Sequence, residues 1–192
     1  MLRKALLFIC IATAGLAAEP LSFVRDIQPI LTKAGCNAGA CHAKAVTGQR
    51  GFRLSVLGFE PEEDYEAIVK QGKGRRVFPP APEESLLITK GAAIVPHTGG
   101  KHLELGSEMY QTLVRWIAEG MPYTQPNEPV LKEIAVEPSR ISLKPKTAQQ
   151  LKVTARYSDG SSRDVTKLAL FEANDTAMAT ATDSGLVNTL DL

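Results

Sequence analysis

The chain has 192 residues, 44% of them hydrophobic, enough for one ordinary domain or two small ones. Its formal net charge is +1 and the charged residues are spread along the chain, which gives no footing for a nucleic-acid partner or a strongly acidic substrate.

Residues 1–18 read as a signal peptide. Arg3 and Lys4 form the positive n-region, Leu6 to Ala14 the apolar h-region, and Gly15, Ala17 and Ala18 the small residues a signal peptidase needs. The alternative, a membrane anchor, needs about 20 apolar residues, and this stretch is shorter. Cys10 follows Ile9, where a lipoprotein signal wants a small residue, so lipidation is disfavoured. Cleavage predicts an exported protein, periplasmic or at the cell surface. The mature chain then keeps two of the three cysteines, Cys36 and Cys41. Two nearby thiols rarely stay free in an oxidising compartment.

Phe23, Ile27, Ile30 and Leu31 predict one apolar helix face, with Ser22 as N-cap and Pro29 kinking or restarting the helix. Pro61–Lys70 predicts a second helix, acidic in its first turn and followed by Gly72. A short helical turn is expected over Glu83–Thr89. The clearest helix is Ser107–Glu119, with Tyr110, Leu113, Val114 and Ile117 on one face, Gly120 as its stop and Pro122 beyond. Loops are expected over Gly48–Gly58 and Gly91–Gly106. The Pro-rich stretch Met121–Pro129 has the composition of a linker. After it the apolar pattern alternates. Ile134–Val136, Leu151–Tyr157 and Leu170–Phe171 are expected strands, with a turn at Ser158–Ser161. Leu151, Val153, Ala155 and Tyr157 share one strand face.

The chemistry concentrates in Cys36-Asn37-Ala38-Gly39-Ala40-Cys41-His42. Covalent haem attachment needs two thiols that reach two vinyl groups on one porphyrin edge, and an imidazole that rises under the ring to bind iron. A histidine directly after the second cysteine meets that need. The usual spacing has two residues between the cysteines; here there are four, three of them the small Ala38, Gly39 and Ala40. Two other readings stand beside it. One is a small disulfide loop with His42 incidental. The other is half of a zinc site, for which no further cysteines remain.

Several stretches carry a resemblance: "FVRDIQPILTKAGCNAGACH", "GFRLSVLGFEPEEDYEAIV", "RRVFPPAPEESLLITK", "VPHTGGKH" and "YQTLVRWIAEGMP". They resemble the cytochrome c-like domains of large exported proteins of Planctomycetes and related bacteria. "IAVEPSRISLKPKTAQQLKVTARYSDGSSRDVT" and "NDTAMATATDSGLV" resemble a bacterial Ig-like group 2 (BIG2) domain. The resemblance implies two domains: a mainly α, class I cytochrome c-like haem domain over 19–123, and an all-β Ig-like sandwich over 133–192, incomplete at its C-terminus. Residues 124–132 would link them.

This implies an electron carrier rather than an enzyme. It would hold one haem c per chain, with Cys36 and Cys41 as thioethers and His42 as proximal iron ligand. His97 is the first candidate for the sixth ligand and His102 the second. Met109 and Met121 are weaker candidates, better explained by packing. Two imidazoles would hold the potential below that of His/Met ligation. Trp116 and Tyr110 read as core aromatics. Arg75 and Arg76 read either as propionate partners or as a solvated turn. Ser85 and Ser107 read as cap or loop residues, and Gly99-Gly100 lacks the context of a phosphate loop. The partner would be a redox protein, with cell-surface or polysaccharide contact through the Ig-like part. The alternatives are a surface adhesion module with a Cys36–Cys41 disulfide, and a haem enzyme or sensor with an open iron position.

Overall fold

The structure is a computed structural model that describes residues 19–39, 41–44 and 51–191. The expected signal peptide, Cys10 included, lies outside the described residues.

Ser22 caps the first helical segment as expected, its hydroxyl accepting from the Arg25 amide at 3.2 Å. The chain runs through one wide π-turn, Phe23–Ile27, and then into α1, Gln28–Lys33, with Pro29 in its first turn. Proline has no N–H to give to the preceding turn, so the helix restarts there rather than running straight. Pro61 opens α2, Pro61–Tyr65, which widens into a second π-turn over Glu66–Lys70. A 3-10 turn at Pro82–Glu84 precedes α3, Leu86–Gly91. The longest helix is α4, Glu108–Ala118, capped by Ser107, whose hydroxyl accepts from the Tyr110 amide at 3.2 Å.

These helices bury a single apolar cluster. Phe23, Ile27, Leu54, Ile68, Ile88, Trp116 and Ile117 are completely enclosed, each worth about 1.5–3 kcal/mol of transfer free energy. Phe23 stands at its centre, 5.4 Å from the Tyr65 ring and 5.7 Å from that of Trp116. The Trp116 indole N–H donates to the Pro122 carbonyl at 3.0 Å, so this side chain belongs to the core. A buried polar hub braces one side. Asp64 is fully enclosed and accepts from the Ser55 amide (2.5 Å), the Ser55 hydroxyl (2.7 Å) and the Gln28 side-chain amide (2.8 Å). Gly58, at φ +78°, closes against the same Gln28; a Cβ there would stand 2.2 Å from its amide nitrogen.

The strands are β1 (Leu131–Glu137), β2 (Ala148–Gln150), β3 (Lys152–Tyr157), β4 (Ser162–Asp164), β5 (Ala179–Ala181) and β6 (Leu186–Thr189). They form two antiparallel sheets, ordered β1-β3-β4 and β2-β6-β5. The Ser158–Ser161 turn joins β3 to β4, with the Asp159 carboxylate accepting from the Ser161 amide and hydroxyl. The expected strand at Leu170–Phe171 is irregular chain. The Ala169 carbonyl there turns to the Lys33 ammonium instead of a sheet partner.

The expected fold class is therefore corrected. The described residues form a small mixed helix-and-sheet fold, with four short α-helices and two three-stranded sheets. It is not a mainly α class I cytochrome c followed by an Ig-like sandwich. The physical reason lies in burial. A sandwich encloses a core between two inward sheet faces, yet among the described residues of the strand half only Val153 and Ala155 are buried apolar side chains. In the helical half, the proline and the π-turns divide what would be long helices into short ones.

The two halves touch through Leu168, which packs on the apolar cluster, and through charged side chains. Asp26 is buried and accepts from Arg163 of β4 at 2.6 Å and from Arg25. Lys33 donates to the Ala169 and Asp183 carbonyls at 2.7 and 2.6 Å. The Pro-rich stretch is held as well, since the Gln125 side chain donates to the Leu21 carbonyl and Ser22 donates to Glu128.

Candidate functional site

α1 ends directly in front of the cysteine loop. The Cys36 amide donates to the Leu31 carbonyl at 2.9 Å, continuing the helix by one wide turn, and Gly35 takes φ +73° to turn the chain outward. The loop closes on itself, with the Cys41 amide donating to Ala38 and the His42 amide to the Cys36 carbonyl at 3.2 Å. Both half-buried thiols are free. Burial, and next the neighbouring Cys41, push the Cys36 thiol up to about 11.

His42 is fixed from two directions. Its main chain pairs with a segment that the sequence presented as loop: Leu54 donates to the His42 carbonyl at 2.7 Å, and Lys44 donates to the Leu54 carbonyl at 2.8 Å, with Ala43 and Leu54 forming a parallel bridge. Its Nδ1 lies 3.2 Å from the Phe52 carbonyl. A carbonyl only accepts, so Nδ1 carries the proton and Nε2 keeps its lone pair. A metal-binding histidine is oriented in this way. Burial lowers the affinity of this imidazole for a second proton below the ordinary level. His97, Arg76 and His102 act in the same direction, and the Phe52 bond opposes them. The neutral ring is the form that ligates.

All three histidines of the chain converge here. His97 Nδ1 donates to the Gly100 carbonyl at 2.8 Å, which leaves Nε2 free. Its ring centroid lies 6.2 Å from that of His42, with the planes 9° apart. The two rings are thus parallel, at the wide end of the offset-stacked range. His102 differs. Its Nδ1 lies 2.6 Å from the Ala34 carbonyl and its Nε2 2.9 Å from the Gly99 carbonyl, so both nitrogens face acceptors. His102 clamps the 91–106 loop onto the residues just before Cys36. The close turn at Gly99 depends on glycine: a Cβ would stand 3.1 Å from His97 Cε1 and 3.3 Å from His102 Nε2.

The remaining candidates lie elsewhere or in the core. Met109 and Met121 pack against the apolar cluster, and Tyr110 is buried in it. Arg75 ends the 3-10 turn Gly72–Gly74. Arg76 turns inward, its guanidinium 4.5 Å over the Phe52 ring and donating to the Ala67 carbonyl at 2.7 Å. Sequence reasoning missed Phe52 and Leu54, although the alternation of Phe52, Leu54 and Val56 carried the signal of a short strand. A cleft of about 520 Å³ opens beside the site between Lys44, Gly51, Arg53, Glu63, Glu66, Ala67 and Gln71. No helix among the described residues is long and apolar enough to cross a membrane.

The donor set fits a covalently held haem. Two thiols and one imidazole with a free Nε2 lie within a single closed loop. A second imidazole with a free Nε2, that of His97, lies beside it, 6.2 Å away between ring centroids. No protein-family model matches the chain, and no curated protein matches it.

Proposed function

We propose that this protein is an exported c-type haem protein that carries single electrons. Cys36 and Cys41 would hold the haem as thioethers, and the Nε2 atoms of His42 and His97 would hold its iron. The carrying observation is the pair of parallel imidazoles 6.2 Å apart, each with Nδ1 bonded to a carbonyl, beside two free thiols. Haem bound there supplies a one-electron iron couple, and two imidazoles favour a lower potential than a His/Met pair. The protein's own residues do the rest. Phe52 sets the His42 tautomer, Gly100 sets that of His97, and His102 ties the His97 loop to Ala34. The partner would be a redox protein.

Co-expression with a c-type maturation system, followed by a denaturing gel stained for haem peroxidase activity, tests the reading. Wild type retains the stain, because thioethers survive denaturation. Cys41→Ala loses most of it. His97→Ala keeps the stain and shifts the Soret band of the native protein, whereas His102→Ala leaves both iron ligands in place and changes the band less. Absence of stain in wild type contradicts the proposal, and an unmoved Soret band in His97→Ala removes His97 from the ligand set.

A further inference from the structure

Phe52 stands at a junction that haem attachment does not itself require. Its carbonyl accepts from His42 Nδ1 at 3.2 Å, and its ring lies 4.5 Å from the His42 ring, tilted by 50°. The Arg76 guanidinium lies 4.5 Å over the same ring, within the range of a cation–π contact. Arg76 is also pinned from behind. Its Nη1 donates to the Ala67 carbonyl at 2.7 Å, and the turn beside it is left open by Gly72, where a Cβ would stand 3.0 Å from that nitrogen. A long, ordinarily mobile side chain is thus fixed on the ring that packs against the histidine.

We infer that Arg76 is a positioning residue that sets the reduction potential of the iron centre, acting through the ring of Phe52 on His42. The inference rests on the haem reading above and deepens it. A permanent positive charge held near an iron couple disfavours the oxidised form, which carries one positive charge more, and so raises the potential. Ion and ring are both half-buried, so solvent screens that effect in part. Arginine suits the role because its planar guanidinium stacks on an aromatic face and stays charged. This is a different task from pairing with a haem propionate: the contacts it uses are those of the guanidinium face with Phe52 and of Nη1 with the Ala67 carbonyl.

The test compares the haem-loaded wild type with Arg76→Gln and Arg76→Lys by spectroelectrochemical titration, with the low-spin EPR spectrum as a check on ligation. Arg76→Gln is expected to lower the equilibrium constant for reduction by about threefold, about 28 mV at about 59 mV per decade for one electron. Its EPR signature of two imidazoles stays unchanged. Arg76→Lys, which keeps the charge, recovers most of the loss. Equal potentials in all three proteins, or equal losses in both variants, overturn the inference. A second arm needs no haem. In the reduced, haem-free chain the Arg76 Nε–H resonance is shifted upfield by the Phe52 ring, and Phe52→Leu removes that shift. An unshifted resonance in wild type also overturns the inference. If wild type takes up no haem, the parent reading fails and this inference fails with it. Haem uptake with a potential indifferent to Arg76 overturns this inference alone.

Discussion

Cys36 packs against the apolar cluster at the start of the loop proposed to hold haem. Its thiol is pushed from an ordinary 9.0 up to about 11, first by burial and then by Cys41. The folded state therefore holds this proton more tightly than the unfolded chain does. The resulting stability is whole below pH 9 and is lost as pH rises through about 11. In the reduced, haem-free protein, urea melts should show an alkaline loss of stability in that window that is smaller in Cys36→Ala, where the raised Tyr110 and Tyr123 hydroxyls still contribute. Alkylation of Cys36 by iodoacetamide near pH 8 should be slow until the chain is unfolded, because the thiolate is the reactive form. Fast alkylation of Cys36 in the folded protein would contradict the burial. At this scale the sequence was informative: Cys36, Cys41, His42 and His97 could all be named from it. The sequence also ranked His97 before His102; the structure adds which carbonyls face each ring nitrogen.

The elements around the site depend on a carboxylate that no pattern announces. Asp64 sits in the acidic first turn of α2, where solvated dipole-compensating acids are ordinary. In the structure it is enclosed, and it ties Ser55 and Gln28 together. That bond set holds the 51–58 segment against α1, and the same segment carries Phe52 and Leu54, the two contacts of His42. Asp64→Ala strands buried donors on both partners and should cost about 3 kcal/mol, measured by urea denaturation. The same variant should broaden the His42 ring resonances in the haem-free protein. A loss below about 1 kcal/mol would show that the hub is not what fixes the segment. The helix starts at Ser22, Pro61 and Ser107 were legible because capping and proline act locally. The Phe52–Leu54 pairing was not, because a two-residue alternation beside glycines reads as loop until its partner is known.

For the molecule as a whole, the distribution of core decides what depends on what. The apolar cluster is built from residues 21–117, with Leu168 packed at its margin. Among its described residues the strand half buries only two apolar side chains, Val153 and Ala155, and small sheets need an apolar face covered to stand alone. Its attachment joins Leu168, packed on the cluster, to polar contacts of Arg163 with buried Asp26 and of Lys33 with two carbonyls. A fragment of residues 133–192 should accordingly show no cooperative thermal transition by circular dichroism, while residues 19–132 retain one. A sharp transition in the strand fragment would contradict this dependence. The alternation that marked β1 and β3 was legible in the sequence. The absence of a sandwich core was not, because alternation reports which side chains share a face and not whether anything covers that face.

The central claim is that the Cys36–His42 loop carries a covalent porphyrin whose iron is held by His42. Intact-mass spectrometry of the protein secreted from a host with c-type maturation tests it most directly. The account predicts the polypeptide plus one haem, with the added mass confined to the peptide containing Cys36 and Cys41. A polypeptide lighter than the bare chain by two hydrogens, a disulfide with no porphyrin, would contradict it.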